Sequence, residues 1–285
     1  MRRSASSSTN TPVVAPFLRI VVLMTGREHV ASLLDCVAGW ARHGARVRVA
    51  AMTLDPAQGD AGARAAQGFS GRIVLAATAD AACEMLGRRG IDADREILEW
   101  DEVEGDGQEA LARAMRAWQA DLAIGAPSNP VALAGSADRS VLVLPEPFAH
   151  RCRVPPQRIF VASDGGAASA AAVREAARVA VAGAAIRVGY LACDPAAARH
   201  PEDFDAVVLG AGQDGDAASQ AIAEAALQWR ADLLVLGTHG GGAGLGGGWR
   251  FGSVAAEVAR RTVVPLLLVP QPSEHTFVVA GNGIH

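Results

Sequence analysis

The chain of 285 residues carries 26 arginine or lysine and 30 aspartate or glutamate residues, for a formal net charge of −4, and half of its residues are hydrophobic. This composition is typical of a globular chain, and without a basic surplus it favours neither nucleic acid nor an anionic membrane as a partner. All the cations are arginine, because the sequence contains no lysine. A lysine P-loop and a Schiff-base lysine are therefore both excluded.

The four cysteines stand far apart and form no CxxC pair: Cys36, Cys83, Cys152 and Cys193. This spacing favours reduced thiols over a disulfide framework or a zinc site. The first 16 residues hold charge but no apolar stretch of signal-peptide length, and we expect them to be a disordered leader. Since no apolar run reaches the length of a membrane span, a soluble cytoplasmic protein is expected.

The chain contains an internal repeat. RIVVLMTGREHVASLLDCVAGWARHGARVRVAAMTLDP, residues 19–56, aligns without a gap with RIFVASDGGAASAAAVREAARVAVAGAAIRVGYLACDP, residues 158–195. A second block repeats with Trp118 against Trp229, which are expected in the core, and with Asp121 against Asp232, which are expected in the turn before the fourth strand. The repeat predicts two domains behind the leader at 1–16, namely residues 17–150 and residues 151–285.

Each half of the sequence alternates predicted strands with predicted helices. The first half carries an additional helix near residues 80–89, and a loop is predicted before it at 56–71. The second half has predicted strands at 158–163, 186–192, 203–210, 232–237 and 265–270, with helices at 168–181, 217–229 and 253–261. This alternation implies parallel doubly wound sheets with right-handed crossovers. The predicted fold class is α/β, with two tandem flavodoxin-like or Rossmann-like domains of five strands each.

The stretch GTHGGGAGLGGGWRFGSVAAEVARR, residues 237–261, follows the fourth strand of the second half, and eight of its first twelve residues are glycine. If the strand order reverses between the first and fourth strands, this stretch meets Asp164 and Gly165 in one crevice. Glycines let backbone N–H groups face a phosphate, and the helix that begins at Ser253, after Gly252, offers free N–H groups at its N-terminus. Ser253 can cap this helix or donate its hydroxyl to a phosphate. The pattern predicts a phosphate-binding loop; a disordered surface loop without a ligand is the alternative.

These features resemble the universal stress protein family in a tandem form that spans almost all of the chain past residue 16. The resemblance rests on the V-x-x-D ending of the first strand, residues 161–164, and on a glycine loop with Gly237, Gly240, Gly252 and Ser253. The loop is two residues longer than is usual in the family, and Ala162 replaces its proline. The resemblance implies binding of ATP, or of AMP or ADP, with Mg²⁺ on the phosphates, by a stress-response regulator or adaptor.

By this resemblance, Asp164 and the strand end near Leu191 contact the nucleoside, while glycines on either side cradle the phosphates. From the residues alone, Asp164 could instead cap the following helix, His239 could pack the loop, and Arg250 is the loop's one basic side chain and a phosphate contact. The full predicted set is Ala162, Asp164, Gly165, Leu191, Gly237, His239, Gly240, Gly242, Arg250, Gly252, Ser253 and Val254.

The first half differs at the corresponding positions. It has Thr25 in place of Asp164, and GAPSNPVALAGSADRS, residues 125–140, in place of the glycine loop, a segment expected to be too short for a loop and a helix. One nucleotide site per chain is therefore predicted, with the two halves paired through their last strands, as the family implies. A homodimer and an unidentified protein partner stay open.

No catalytic motif stands out in the sequence. It lacks a GxSxG elbow and an HExxH pair, and no paired carboxylates can be defended as catalytic. A nucleotide-binding regulator is therefore favoured over the two alternatives, which are a nucleotide-free dimerisation module of the same fold and a weak ATPase.

Overall fold

The computed structural model describes residues 16–24, 30–52, 61–98, 107–127, 129–145, 152–192, 205–210, 215–238 and 251–271. The first half contains β1 (Phe17–Met24), α1 (Val30–Trp40), β2 (Ala41–Met52), α2 (Ala61–Arg88), β3 (Asp92–Leu98), α3 (Gly107–Ala117), β4 (Leu122–Gly125), α4 (Pro130–Ala137) and β5 (Ser140–Val143). The second half contains β6 (Arg158–Ser163), α5 (Ala167–Val179), β7 (Ala185–Ala192), β8 (Asp205–Gly210), α6 (Gly215–Gln228), β9 (Leu233–Gly237), α7 (Phe251–Arg261) and β10 (Leu266–Val269). The predicted leader, apart from its last residue Pro16, and the predicted boundary at residues 150 and 151 lie outside the described residues.

All ten strands belong to one sheet, in the order β3-β2-β1-β4-β5-β10-β9-β6-β7-β8. Within each half the order is 3-2-1-4-5, which is the Rossmann-like alternative, and the predicted reversal between the first and fourth strands is confirmed. The halves meet where β5 and β10 pair antiparallel, with Leu142 opposite Leu267. We call this pairing the β5–β10 seam. The predicted pairing through the last strands is therefore seen within one chain.

Two apolar layers cover the faces of the sheet. Helices α1, α2 and α5 pack on one face, and α3, α4, α6 and α7 pack on the other. Strand β6 shows why both faces need cover, because Ile159 and Val161 enter one layer while Phe160 and Ala162 enter the other. Strands β4, β9 and β10 are buried along their whole length and are unbroken apolar runs, as buried parallel strands are, whereas the edge strand β3 is largely charged. None of the described helices is both long and apolar enough to cross a membrane.

Matching aspartates brace the two halves in the same way. The carboxylate of Asp121, just before β4, accepts hydrogen bonds from the backbone N–H groups of residues 18 and 19, at 2.8 and 3.0 Å. The carboxylate of Asp232, just before β9, accepts from those of residues 157 and 158, at 2.9 and 3.0 Å. Each aspartate thus ties the beginning of the fourth strand to the beginning of the first, and its predicted position before the fourth strand is confirmed.

The matching tryptophans are half-buried at the edge of the core. Trp118 and Trp229 both pack against the apolar layer that contains α3 and α6. The guanidinium of Arg48 lies 4.9 Å from the Trp118 ring, and that of Arg187 lies 5.1 Å from the Trp229 ring. The expected core position is therefore corrected: each indole borders the core, and an arginine stacks on its ring.

Two segments contain helices against expectation: residues 56–71, predicted as a loop, and residues 125–140, expected to be too short for a loop and a helix. α2 begins at Ala61, so the predicted loop at 56–71 is wrong from residue 61 onward. The glycines of this stretch suggested a loop, but its alanines and arginine are strong helix formers. The segment 125–140 also holds the eight-residue helix α4, so it is long enough for a loop and a helix. Asn129 caps α4 at one end, and Asp138 ends it in a left-handed conformation at φ 52°.

Two of the cysteines are joined. Cys36 on α1 and Cys152, in the segment that leads to β6, form a disulfide with their Cα atoms 6.0 Å apart. The expectation of reduced thiols is therefore wrong for this pair. The two residues are 116 positions apart in sequence, so their spacing carried no sign of the contact. Cys83 is a free thiol, and Cys193 lies outside the described residues.

Candidate functional site

The strand order places the site between β6 and β9. These strands are parallel neighbours, with Val161 opposite Val235, so their carboxyl ends lie side by side. From this edge the chain leaves β6 toward α5 on one face of the sheet, and it leaves β9 toward α7 on the other. Because the chain leaves the two strands toward opposite faces of the sheet, a crevice forms between their carboxyl ends. Open parallel sheets bind ligands at this position. We call this crevice the β6–β9 crevice.

A tight turn of Asp164, Gly165 and Gly166 forms one wall of the crevice. Asp164 Oδ1 accepts hydrogen bonds from the Gly166 N–H at 2.8 Å and from the Ser169 hydroxyl at 2.5 Å. The Asp164 N–H donates to Ser169 Oγ at 3.1 Å. Gly165 has a φ of +80°, in the left-handed region that side chains with a Cβ avoid. Asp164 therefore organises the turn that leads into α5. The cap position of α5 is Gly166 and carries no side-chain cap hydrogen bond, so the alternative capping role of Asp164 is not seen.

The end of β9 touches that same turn. A Cβ atom added to Gly237 would lie 2.7 Å from the backbone of Ala168 and 2.8 Å from its Cβ. Only glycine lets β9 and the first turn of α5 approach so closely. The two features singled out in the sequence, the turn at Asp164 and the beginning of the glycine stretch, are therefore adjacent in space.

Three predicted site residues have buried side chains. Ala162, Leu191 and Val254 are exposed by 0%, 9% and 1%, and all three belong to the apolar layer that includes α6 and α7. A bound molecule in the crevice could meet them through their backbone groups, while their side chains position the surrounding elements.

Helix α7 begins at Phe251, two residues earlier than expected, so Ser253 is the third residue of the helix. The expectation that Ser253 is the capping residue is corrected, because a cap precedes the first helical turn. Glycine adopts helical angles as well as others, so Gly252 does not delay the helix. Gly252 and Ser253 thus lie in the first turn of α7, at the positive end of the helix dipole.

Four predicted residues, His239, Gly240, Gly242 and Arg250, lie outside the described residues, and so does Thr25 of the first half. The structure adds one residue that the sequence reasoning missed. Thr238 is fully buried, and its N–H donates to the Val269 carbonyl at 2.9 Å, so the chain stays along β10 for one residue beyond Gly237. The sequence signal that could have identified Thr238 is its position directly after the glycine that ends β9.

A groove between α4 and α7 borders this edge of the sheet. It encloses about 530 Å³ and is lined by Asn129, Thr238 and Ala256, among others.

Near the far end of α7, Glu257 pairs with both Arg260 and Arg261. The hydrogen bond from Arg261 and the two positive charges hold the pKa of Glu257 below its ordinary value. The glutamate is therefore a partner for these arginines rather than a proton donor.

Two Rossmann-like units are joined edge to edge in one sheet, and the second unit has the β6–β9 crevice at its switch point. This architecture defines a tandem doubly wound α/β protein. Residues 203–270 match the model of the universal stress protein family. The resemblance to this family is confirmed: its sequence signature lies in the second half, and its fold is repeated in tandem along the chain.

Solved structures share this fold across most of the chain. A universal stress protein from Archaeoglobus fulgidus DSM 4304 is similar with a TM-score of 0.60 and 13% identity, over 90% of this chain and 97% of that one. A functionally unknown protein from Pseudomonas aeruginosa PAO1 is similar with a TM-score of 0.54 and 15% identity, over 90% and 93% of the two chains. No curated protein matches the sequence.

Proposed function

We propose that the β6–β9 crevice binds an adenine nucleotide, with ATP as the principal ligand, and that the protein is a stress-response regulator or adaptor in the cytoplasm. The observation that carries the proposal is the close approach of Gly237 to Ala168. This contact sets the Asp164 turn beside the strand end from which the glycine stretch departs. The universal stress protein signature over residues 203–270 supports the same ligand class.

Each wall of the crevice supplies one part of the recognition. Asp164 already directs Oδ1 at Gly166 and Ser169, and its other oxygen would accept hydrogen bonds from the ribose hydroxyls. The first turn of α7 would receive the phosphates on backbone N–H groups, with the helix dipole favouring their negative charge. In a chain without lysine, backbone donors serve this purpose, and Mg²⁺ would arrive coordinated by the phosphates.

The first half offers fewer phosphate donors at the matching helix. α4 begins with Pro130, which has no N–H, and the Ala132 N–H already donates to Asn129 Oδ1 at 3.1 Å. The α7 turn carries Gly252 and Ser253 instead, both with an N–H group. One nucleotide site per chain is therefore proposed, in the second half.

A matched pair of charge variants tests the site. Ser253→Asp places a carboxylate at the third residue of α7, where it suits the helix dipole but repels phosphate, so ATP affinity by titration calorimetry should fall about tenfold or more. Ala132→Asp places the same charge at the third residue of α4 and should leave the affinity unchanged. Equal losses in both variants, or no loss in Ser253→Asp, would refute the assignment.

Native mass spectrometry of the purified protein separates this proposal from its alternatives. A tight site should retain ATP or AMP, or should give a rise in Tm when ATP is added. A protein that does neither is a nucleotide-free module of the same fold. Turnover of ATP above background that depends on Asp164 would instead make it an ATPase.

A further inference from the structure

The disulfide joins two regions that belong to different halves of the repeat. Cys36 lies in the middle of α1 and is only 2% exposed. Cys152 is half-buried, in the short segment that leads into β6. The bond therefore fixes a helix of the first half to the beginning of the second, and its two sulfurs differ in how easily a reagent in solution can reach them.

The protein around the bond already brings these two regions together. A Cβ atom added to Gly39 would lie 2.5 Å from Cβ of Val154, so the Val154 side chain packs directly on the backbone of α1. One residue further along α1, Trp40 is buried and its ring lies 5.8 Å from that of Phe17 on β1. The contact between Gly39 and Val154 keeps α1 beside the segment, which favours re-formation of the bond after reduction.

The halves do not depend on this bond for their association. The β5–β10 seam joins them through the sheet. On the face of the sheet that carries α1, the Arg178 guanidinium of α5 donates to the Pro16 carbonyl at 3.0 Å and lies 4.5 Å from the Phe17 ring. Loss of the disulfide would therefore loosen α1 against the segment, with the contact between Gly39 and Val154 still in place, while the sheet stays intact.

We propose that the Cys36–Cys152 disulfide is a reversible redox clamp between α1 and the segment leading into β6. In the reducing direction, a thiolate of a dithiol reductant attacks Sγ of the more exposed Cys152, and the S–S bond breaks with Cys36 leaving as a thiolate that takes up a proton. The second thiol of the reductant then displaces Cys152 and closes its own disulfide, so the protein gains two electrons and the reductant loses two. In the oxidising direction, the Cys152 thiolate attacks oxidised glutathione and releases one glutathione, and the Cys36 thiolate then displaces the second glutathione from Cys152 as the bond closes, so glutathione gains the two electrons that the protein loses.

The test uses the full-length chain with Cys83→Ser and Cys193→Ser, which leaves this pair as the remaining cysteines. The protein is treated first with oxidised glutathione and then with dithiothreitol. Peptide mass spectrometry follows the Cys36–Cys152 linkage, and hydrogen exchange and Tm are measured in both states. Reduction should lower Tm by about 5 °C or more, because the bond closes a long loop of the unfolded chain. It should also speed exchange in residues 30–40 and 152–157, but not in β5 or β10.

The control adds Cys152→Ser, a change at a half-buried position. This variant should behave like the reduced protein under both treatments, with no response of Tm to dithiothreitol. The proposal is overturned if oxidised glutathione produces only mixed disulfides, if the bond yields to dithiothreitol only after the protein is unfolded, or if reduction changes neither Tm nor local exchange.

Discussion

The two halves of the chain share a frame and differ at the edge where a ligand would bind. Asp121 and Asp232 tie the fourth strand to the first in the same way, and Arg48 and Arg187 stack on matching tryptophans. The fourth strands of both halves end in a glycine, but the two glycines face different elements: Gly125 faces Leu23 of the neighbouring strand β1, whereas Gly237 faces Ala168 of helix α5. The repeat therefore preserves the sheet, while the helices at its carboxyl edge are free to differ between the two halves.

The largest expected effect comes from adding a methyl group at Gly237. Gly237→Ala forces a Cβ into the backbone of Ala168 and should lower the free energy of unfolding by about 2–3 kcal/mol in urea titrations, while also displacing the Asp164 turn and weakening ATP binding. Gly125→Ala, which meets Leu23, should destabilise the fold while ATP affinity is retained. If both variants lost ATP binding equally, Gly237 would have no special relation to the proposed nucleotide site, and the prediction would be contradicted.

Removing the bracing carboxylates should affect the two halves alike. Asp232→Ala and Asp121→Ala each leave two backbone N–H groups without their acceptor and should cost about 1–3 kcal/mol of unfolding free energy. The matching Asp→Asn variants keep one acceptor oxygen and should lose less. Costs that differ by more than about 1 kcal/mol between the halves would show that the brace is not equivalent in the two repeats.

A smaller effect is expected at the cap of α4. Asn129→Ala removes the acceptor of the Ala132 N–H and should lower stability by about 1 kcal/mol. Because this helix belongs to the half without the proposed site, the ATP affinity should stay at the wild-type value. Thermal unfolding with and without ATP measures both quantities, and a loss of the ATP-induced shift would place a nucleotide contact at α4.

The smallest effect on stability is expected from removing the aspartates that pair with Arg48 and Arg187, the arginines that lie over the tryptophan rings. Arg48 donates to Asp94 at 2.7 Å, and this hydrogen bond holds the pKa of Asp94 below its ordinary value. The stabilisation is therefore present above about pH 4 and is lost as the pH falls through the lowered pKa. Asp94→Asn should cost less than about 1 kcal/mol at pH 7, since the pair is partly exposed, and the gap to wild type should narrow below about pH 4.

Asp205 is the counterpart of Asp94 on the third strand of the second half, where it accepts from Arg187 at 2.6 Å. Asp205→Asn is therefore the matched control for Asp94→Asn, and its cost at pH 7 should be of similar size. A difference between the wild type and Asp94→Asn that stayed constant from pH 7 to pH 3 would contradict the assigned pKa direction.

The strands of the second half could be predicted closely because their signal is local. A strand buried on both faces must be apolar throughout, so β6 and β9 were located to within one residue. The helices α2 and α4 were harder to predict from the sequence. In α2 the alanine content outweighed the glycines that suggested a loop, and in α4 the cap supported a helix of only eight residues. The relation of Asp164 to the fourth strand followed from topology alone, since the strand order decides which loops become neighbours.

Contacts between distant residues could not be predicted. Cys36 and Cys152 meet because α1 and the segment before β6 pack on one face of the sheet, which no spacing in the sequence shows. The constraint on Gly237 likewise depends on the depth at which α5 lies on β9. The sequence predicted Gly237 as part of a phosphate loop, whereas the structure shows Gly237 packed against Ala168 of α5.

The β5–β10 seam has the pattern of a symmetric dimer interface, since the strand order reads the same from either end of the sheet. Covalent linkage makes this association intramolecular, with an effective concentration in the millimolar range for short linkers. Dilution therefore does not separate the halves, and the pairing requires no encounter between two chains. A half that is held in place by its neighbour can lose its own ligand loop without losing its partner, so linkage gives one repeat the freedom to specialise.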